Sequence, residues 1–157
     1  MNALADKYGD KLNIVAFPCN QFGHQTNEGN DEFLNTLKYV RPGNNYEPAS
    51  TMIVTEKVDV NGANSHPLWS WMRGEIKIPL GEDGVDSQGN GCADIDALVL
   101  PRGAFGGQTY TLWSPVTRSD VAWNFEKFLL DKDGKVAQRY SRYFEIGGIA
   151  SDIDNLM

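Results

Sequence analysis

Near the start of the chain, Leu12-Asn13-Ile14-Val15-Ala16-Phe17 forms a short and nearly continuous apolar run. A strand with one wet face alternates apolar and polar residues, so a run without alternation reads as a strand covered on both faces. Such strands belong to α/β architectures, in which helices pack on either side of a sheet. Before the run, Met1, Leu4 and Tyr8 have helical spacing, so the chain opens within the end of an amphipathic helix over residues 1 to 8. Pro18 closes the strand, and the polar loop Cys19-Asn20-Gln21-Phe22-Gly23-His24-Gln25 follows it.

Further along, Glu28 to Val40 reads as a helix with Asn27 as its candidate cap, acids early and Lys38 late. Arg41-Pro42-Gly43 stops it. Met52 to Val60 reads as a strand closed by the turn pair Asn61-Gly62. Leu68, Trp69 and Met72 sit at helical spacing between His66 and Arg73. From Gly81 to Gln108 the chain is rich in Gly, Asp and Asn and reads as a long loop. The clearest β signal is a hairpin: Phe125 to Leu130, a turn at Asp131-Lys132-Asp133-Gly134, then Val136 to Tyr143. A short helix over Ile149 to Met157 ends the sequence. These elements suit an α/β sandwich with a mixed sheet.

The sequence of 157 residues has room for one domain, spanning 1–157, and no internal repeat or linker divides it. Its 14 basic and 21 acidic residues leave a net charge of -7, which argues against a general nucleic-acid binder. No run of about 18 apolar residues is present, so no membrane span is expected. The two cysteines, Cys19 and Cys92, form neither a CxxC pair nor a metal cluster. His24 and His66 stand too far apart for a zinc motif. Gly89-Asn90-Gly91 lacks the strand and the further glycine of a phosphate loop, and Asp131-Lys132-Asp133-Gly134 lacks the remaining ligands of a calcium loop.

Cys19 is the obvious candidate nucleophile, at a strand end where α/β proteins place functional residues. A reactive thiol wants a cationic neighbour or a helix N-terminus, which His24 and the following helix could supply; the plainer reading is a buried, inert cysteine. Gln21 and the pair Trp123-Asn124 offer amide and indole N–H donors. Converging donors would steady a thiolate or selenolate by charge-assisted hydrogen bonds.

Four motifs, spread over nearly the whole chain in order, resemble those of glutathione peroxidases. They are Phe17-Pro18-Cys19-Asn20-Gln21-Phe22-Gly23-His24-Gln25, Leu37-Lys38-Tyr39-Val40-Arg41-Pro42-Gly43, Val58-Asp59-Val60-Asn61-Gly62, and Trp123-Asn124-Phe125-Glu126-Lys127-Phe128-Leu129 with Asp133-Gly134 and Arg139-Tyr140-Ser141-Arg142 behind it. The resemblance implies the thioredoxin-like fold, a mixed sheet flanked by helices, and reduction of hydrogen peroxide and organic hydroperoxides by glutathione. It assigns Gln21, Trp123 and Asn124 to partner positions of a catalytic tetrad, where they hold the chalcogen as its anion. It assigns Arg41, Arg139 and Arg142 to the rim that receives the glutathione carboxylates. Cys19 matches a cysteine that is not the peroxidatic residue. Tyr143 stands where classical members often carry another arginine, and Gly29 where some carry a lysine, so thioredoxin-type reductants are the alternative.

By the same resemblance the peroxidatic selenocysteine or cysteine belongs to a segment ahead of Met1, together with the first core strand, so the chain is expected to lack both. No separate cofactor is implied beyond that selenocysteine. The absent strand is expected between the Leu12–Phe17 and Phe125–Leu130 strands, and the chain by itself is expected to be aggregation-prone and inactive. The intact Val40-Arg41-Pro42-Gly43 region and the long segment before Trp113 look like the tetrameric branch, and a cytoplasmic setting is the commonest. The competing expectations are a catalytically inactive thioredoxin-like subunit and a short peroxidase working through Cys19.

Overall fold

The structure, a computed structural model, describes residues 1–77, 79 and 111–157. The loop expected from Gly81 to Gln108, with Cys92 and Gly89-Asn90-Gly91, lies outside the described residues. The chain divides into two compact units, Met1–Asn20 with His24–Val58 and Gln21–Gly23 with Asp59–Met157.

In the first unit, helix α1 (Asn2–Tyr8) buries Leu4, Ala5 and Tyr8 on one face and ends at Gly9, whose φ of 57° suits a residue without a Cβ. Asn2 fastens α1 to a later segment, donating to the Glu47 carbonyl at 2.8 Å and accepting from the Ala49 N–H at 3.1 Å. A 3₁₀ turn (Gly9–Lys11) leads into strand β1 (Ile14–Ala16), which pairs in parallel with β2 (Met52–Val54) through Ile14↔Met52, Val15↔Ile53 and Ala16↔Val54. Two further bonds, Thr55 N–H to Ala16 O and Val58 N–H to Pro18 O, carry the pairing past the strand ends.

Burial on both faces does not extend along this ladder: Ile14 is buried, while the partners Val15 and Ile53 are 44% and 55% exposed. The apolar run therefore has a wet side among the described residues. Helix α2 spans Phe33–Tyr39, later than the expected start at Glu28. Asn27 does not cap it; its side chain donates to the His24 carbonyl at 2.7 Å and accepts from Asn20 at 2.9 Å, closing the loop instead. Short polar side chains bond locally in this way, and Gly29-Asn30 are poor helix formers. Gly43, at φ 72°, returns its N–H to Leu37 O and stops α2 as expected.

In the second unit, helix α3 (Pro67–Glu75) starts from His66, whose Nδ1 accepts the Leu68 N–H at 3.2 Å, with Pro67 at the first helical position. The hairpin is present as β3 (Lys127–Leu130) and β4 (Val136–Tyr140), antiparallel, with a register shift at Leu129/Leu130. Asp131 builds its turn, Oδ1 accepting from the N–H groups of Asp133 and Lys135, both at 2.9 Å. A 3₁₀ turn (Ile146–Ile149) precedes helix α4 (Ala150–Leu156). Phe22, Val60, Trp69, Met72, Trp113, Val121 and Tyr140 are among its buried apolar residues. The expected mixed sheet takes the form, among the described residues, of one parallel pair and one antiparallel pair. No described helix is long and apolar enough to cross a membrane.

Candidate active site

The Gln21 side chain is buried and fully directed. Its Oε1 accepts the N–H groups of Val60 and Asn61, each at 3.0 Å, and its Nε2 donates to the Asn61 carbonyl at 3.0 Å. Gln21 and Asn61 thus exchange a donor and an acceptor, as two residues do across an antiparallel ladder. Asn61, 1% exposed, repeats the pattern one step on. Its Nδ2 donates to the Val121 carbonyl and its Oδ1 accepts the Val121 N–H, both at 2.8 Å. Two amide clasps in series run from Gln21 to the backbone two residues ahead of Trp123.

Gly62 allows the close approach this requires. Its φ is 78°, and a Cβ there would lie 2.9 Å from Trp113 Cβ and 3.1 Å from Ser114 O. In the sequence, Asn61-Gly62 reads as a strand-ending turn, and Asn61 does not stand out as a clasp on Val121. The asparagine-glycine pair is a turn signal, and nothing local in it says that the side chain will find Val121.

The backbone leading to Trp123 is held residue by residue. Arg139 donates to the carbonyls of Ser119 and Asp120, each at 3.1 Å. Asn61 holds Val121, and Glu126 Oε2 accepts the Ala122 N–H at 3.2 Å. Asp120 in turn takes Arg73 Nη1 at 2.5 Å, Trp113 Nε1 at 2.7 Å and the Thr117 N–H at 2.9 Å. Trp123 then lies with its ring 5.8 Å from Phe22 and with the Arg142 guanidinium 5.8 Å over it, a cation–π arrangement. Arg142 also donates to the Tyr143 hydroxyl.

Asn124 follows in a turn, and Phe125 has φ 68°, in the left-handed region that a bulky side chain rarely adopts. Phe125 is 79% exposed. This turn is why β3 begins at Lys127 and not at Phe125. Strain of this kind persists where the surroundings over-determine it, and here the bond from Ala122 to Glu126 closes the turn from behind.

Among the arginines, Arg142 is at the site beside Trp123, and Arg41 belongs to the first unit. Arg139 corrects the expectation of a rim residue. It is 0% exposed, ion-paired with Glu126, and donates also to the carbonyls of Ile76 and Lys77 at 3.0 Å. A guanidinium consumed inside the protein has no donors left for a ligand carboxylate; the rank of residues along the sequence could not separate it from Arg142, three positions on. Cys19 is buried and His24 exposed, as an inert thiol at a strand end would have it. Among the described residues, no group of three or more His, Cys, Asp and Glu is disposed to hold a metal ion.

Burial governs the charges around this scaffold. It raises the Glu126 carboxyl above its usual range, opposed by Arg139, and lowers Arg73, opposed by Asp120. Lys127 is pulled down to about 8 by burial, against the attraction of Glu126 and Glu145. Its Nζ donates to the carbonyls of Ser141 and Phe144, both at 2.7 Å, and so brackets the segment that carries Arg142.

A parallel β1–β2 pair and a β3–β4 hairpin, with helices beside them, make this an α/β protein, and the relatives it matches place it in the thioredoxin-like class. The family model described as glutathione peroxidase matches residues 1–73. Glutathione peroxidase 1 of Mus musculus is 43% identical over 158 residues, covering 100% of this chain and 69% of the relative, and glutathione peroxidase 2 of the same organism is 40% identical, covering 100% and 72%. The chain belongs to the glutathione peroxidase family. The crystal structure of Trgpx in apo form superposes with a TM-score of 0.54 at 25% identity, covering 99% of this chain; the chain spans 63% of that structure's length, less than two thirds.

Proposed function

We propose that the site serves the reduction of hydrogen peroxide and organic hydroperoxides by glutathione, as antioxidant defence, with Gln21, Trp123 and Asn124 as partners of a peroxidatic chalcogen. That residue, a selenocysteine or cysteine, supplies the nucleophile that takes one peroxide oxygen while the other leaves as an alcohol or water; two glutathione thiols then reduce it to its starting state, release the transferred oxygen as water and leave as the disulfide. The work of this chain's residues is to donate hydrogen bonds to the anion and to orient the peroxide. Directed N–H donors lower a chalcogen's pKa and keep it nucleophilic. The observation that carries the reading is the linkage of Gln21 to the Trp123 turn, through Phe22 on one side and Asn61 on the other.

Besides Arg41, which the motif resemblance assigns to glutathione, Arg142 is the residue we assign to a glutathione carboxylate at this site. Its guanidinium suits a bidentate carboxylate contact. Arg139 instead holds the Ser119 and Asp120 carbonyls ahead of the Trp123 turn. On this reading the protein is a cytoplasmic homotetramer; size-exclusion chromatography with light scattering tests the tetramer, and cell fractionation the compartment.

One observation favours a second reading, an inactive thioredoxin-like subunit: the Gln21 amide is engaged with the backbone of Val60 and Asn61. A glutathione-coupled peroxide assay separates the two. The chain is tested by itself and joined behind the leading segment of a family member that carries the chalcogen residue. Turnover only in the joined protein, lost in Trp123→Ala, is the expected result. A folded joined protein without turnover, or turnover indifferent to Trp123 and Gln21, overturns the proposal.

A further inference from the structure

We propose that Asn61 is a positioning residue of the peroxide-reducing site, setting Gln21 and the Trp123–Asn124 turn in one fixed relation; this rests on the reading given under Proposed function. Asn61 is the point at which the hydrogen bonds of two stretches of chain meet. Its backbone N–H and carbonyl are both taken by the Gln21 amide at 3.0 Å. Its side-chain amide takes both the carbonyl and the N–H of Val121 at 2.8 Å. A shift of Asn61 therefore moves a donor of the site at one end and the approach to another at the other end.

The chemistry asks for asparagine in particular. The planar amide presents one donor and one acceptor side by side, which is what Val121 requires. Aspartate has the shape but only acceptors, and would set an oxygen against the Val121 carbonyl. Alanine leaves a buried N–H and a buried carbonyl without partners. Glutamine adds a methylene, which carries the amide past Val121 in a side chain that is almost wholly buried. Asn61 is 1% exposed and touches neither peroxide nor glutathione; it acts through Gln21 and Val121.

The test uses the full chain, labelled with ¹⁵N, in Asn61→Asp and Asn61→Ala forms. Tyr140→Phe serves as the stability control, since it deletes a separate, part-buried bond, from Tyr140 to Asp152 at 2.7 Å. Both Asn61 variants are expected to shift the Trp123 indole and Gln21 amide resonances and weaken the Phe22–Trp123 cross-peaks, while Tyr140→Phe moves none of them. Where the alanine form does not fold, the isosteric aspartate form decides. In the joined protein, Asn61→Asp is expected to lower kcat/KM for peroxide by between about 10- and 100-fold, as small misplacements of positioned groups do, with the glutathione KM unchanged. Unshifted Trp123 and Gln21 signals, or equal losses in the peroxide and glutathione steps, overturn the proposal. A parent joined protein without turnover would sink the peroxidase reading, and the positioning role with it, while the resonances still decide whether Asn61 couples the two segments.

Discussion

Gln21 and Asn61 hold each other by a closed pair of hydrogen bonds, the side-chain amide of one set against the backbone of the other. The same motif recurs between Asn61 and Val121, so that an amide side chain twice does the work of a strand neighbour. Loops at a sheet end carry backbone groups with no ladder to join, and buried groups of this kind must be paired. Here the pairing comes from residues that also shape the candidate site, so stability and site geometry rest on the same bonds.

Removing Gln21 is therefore expected to cost stability in any chemical context. Gln21→Ala leaves two buried N–H groups, of Val60 and Asn61, without their acceptor. A loss of about 2–3 kcal/mol is expected, read from urea unfolding midpoints at constant m. A loss below about 0.5 kcal/mol would mean that water takes over the exposed groups.

Asp120 holds a buried cation, an indole and a turn together. In Asp120→Ala the Arg73 guanidinium loses its carboxylate in a site where Arg73 is itself buried. Breaking a buried pair from one side costs about 3–5 kcal/mol, so the variant is expected to be largely unfolded at moderate denaturant. The same variant is expected to lose the downfield Trp113 indole resonance, because Trp113 Nε1 donates to Asp120.

Lys127 makes stability depend on pH in a definite direction. Its ammonium titrates at about 8 in the folded protein, below its ordinary value of 10.5. Between these two values the unfolded chain binds more protons than the folded one, so stability rises with pH from about 8 towards 10. Since the group is only partly buried, a rise on the order of 1 kcal/mol is expected after allowing for solvent screening. Above pH 10 the trend reverses, because Tyr140 is held protonated by burial and by Asp152 while unfolded tyrosine ionises. Chemical unfolding at pH 7, 8, 9 and 10 reads the slope, and Lys127→Met is expected to flatten it.

Arg142 combines a stack with a charge, and the two separate by substitution. Arg142→Ala removes the guanidinium from over Trp123 and is expected to change Trp fluorescence. In the peroxide assay it is expected to raise the glutathione KM by about tenfold or more, the scale of a hydrogen bond to a charged group. Arg142→Lys keeps the charge without the planar fork, and an intermediate KM is expected. Equal KM values in all three forms would remove Arg142 from the glutathione site.

The hairpin and the α3 start were legible in the chain because each is decided by residues within a turn of one another: Asp131 to Lys135, and His66 to Leu68. The Glu28 helix start was misread because Asn27 had two uses for its side chain, and closing its own loop won. Among the site residues, Gln21, Trp123 and Asn124 were readable only through the motif resemblance, since composition cannot show convergence. Arg139 and Arg142 looked alike in sequence; β4 turns one into the interior against Glu126 and leaves the other beside Trp123.

What the amino-acid sequence determined by itself was local: the turn residues, the helix over residues 1 to 8, the helix stop at Gly43, the hairpin, and the motif set that belongs to the glutathione peroxidase family. Only the tertiary structure decided that Asn61 is a clasp and not merely a turn, that Arg139 is consumed inside, and that Val15 faces outward. The reason is physical. A side chain's partner within a few residues is dictated by backbone geometry, whereas a partner 40 or 60 residues away, as for Gln21 and Asn61, is set by how the intervening chain packs.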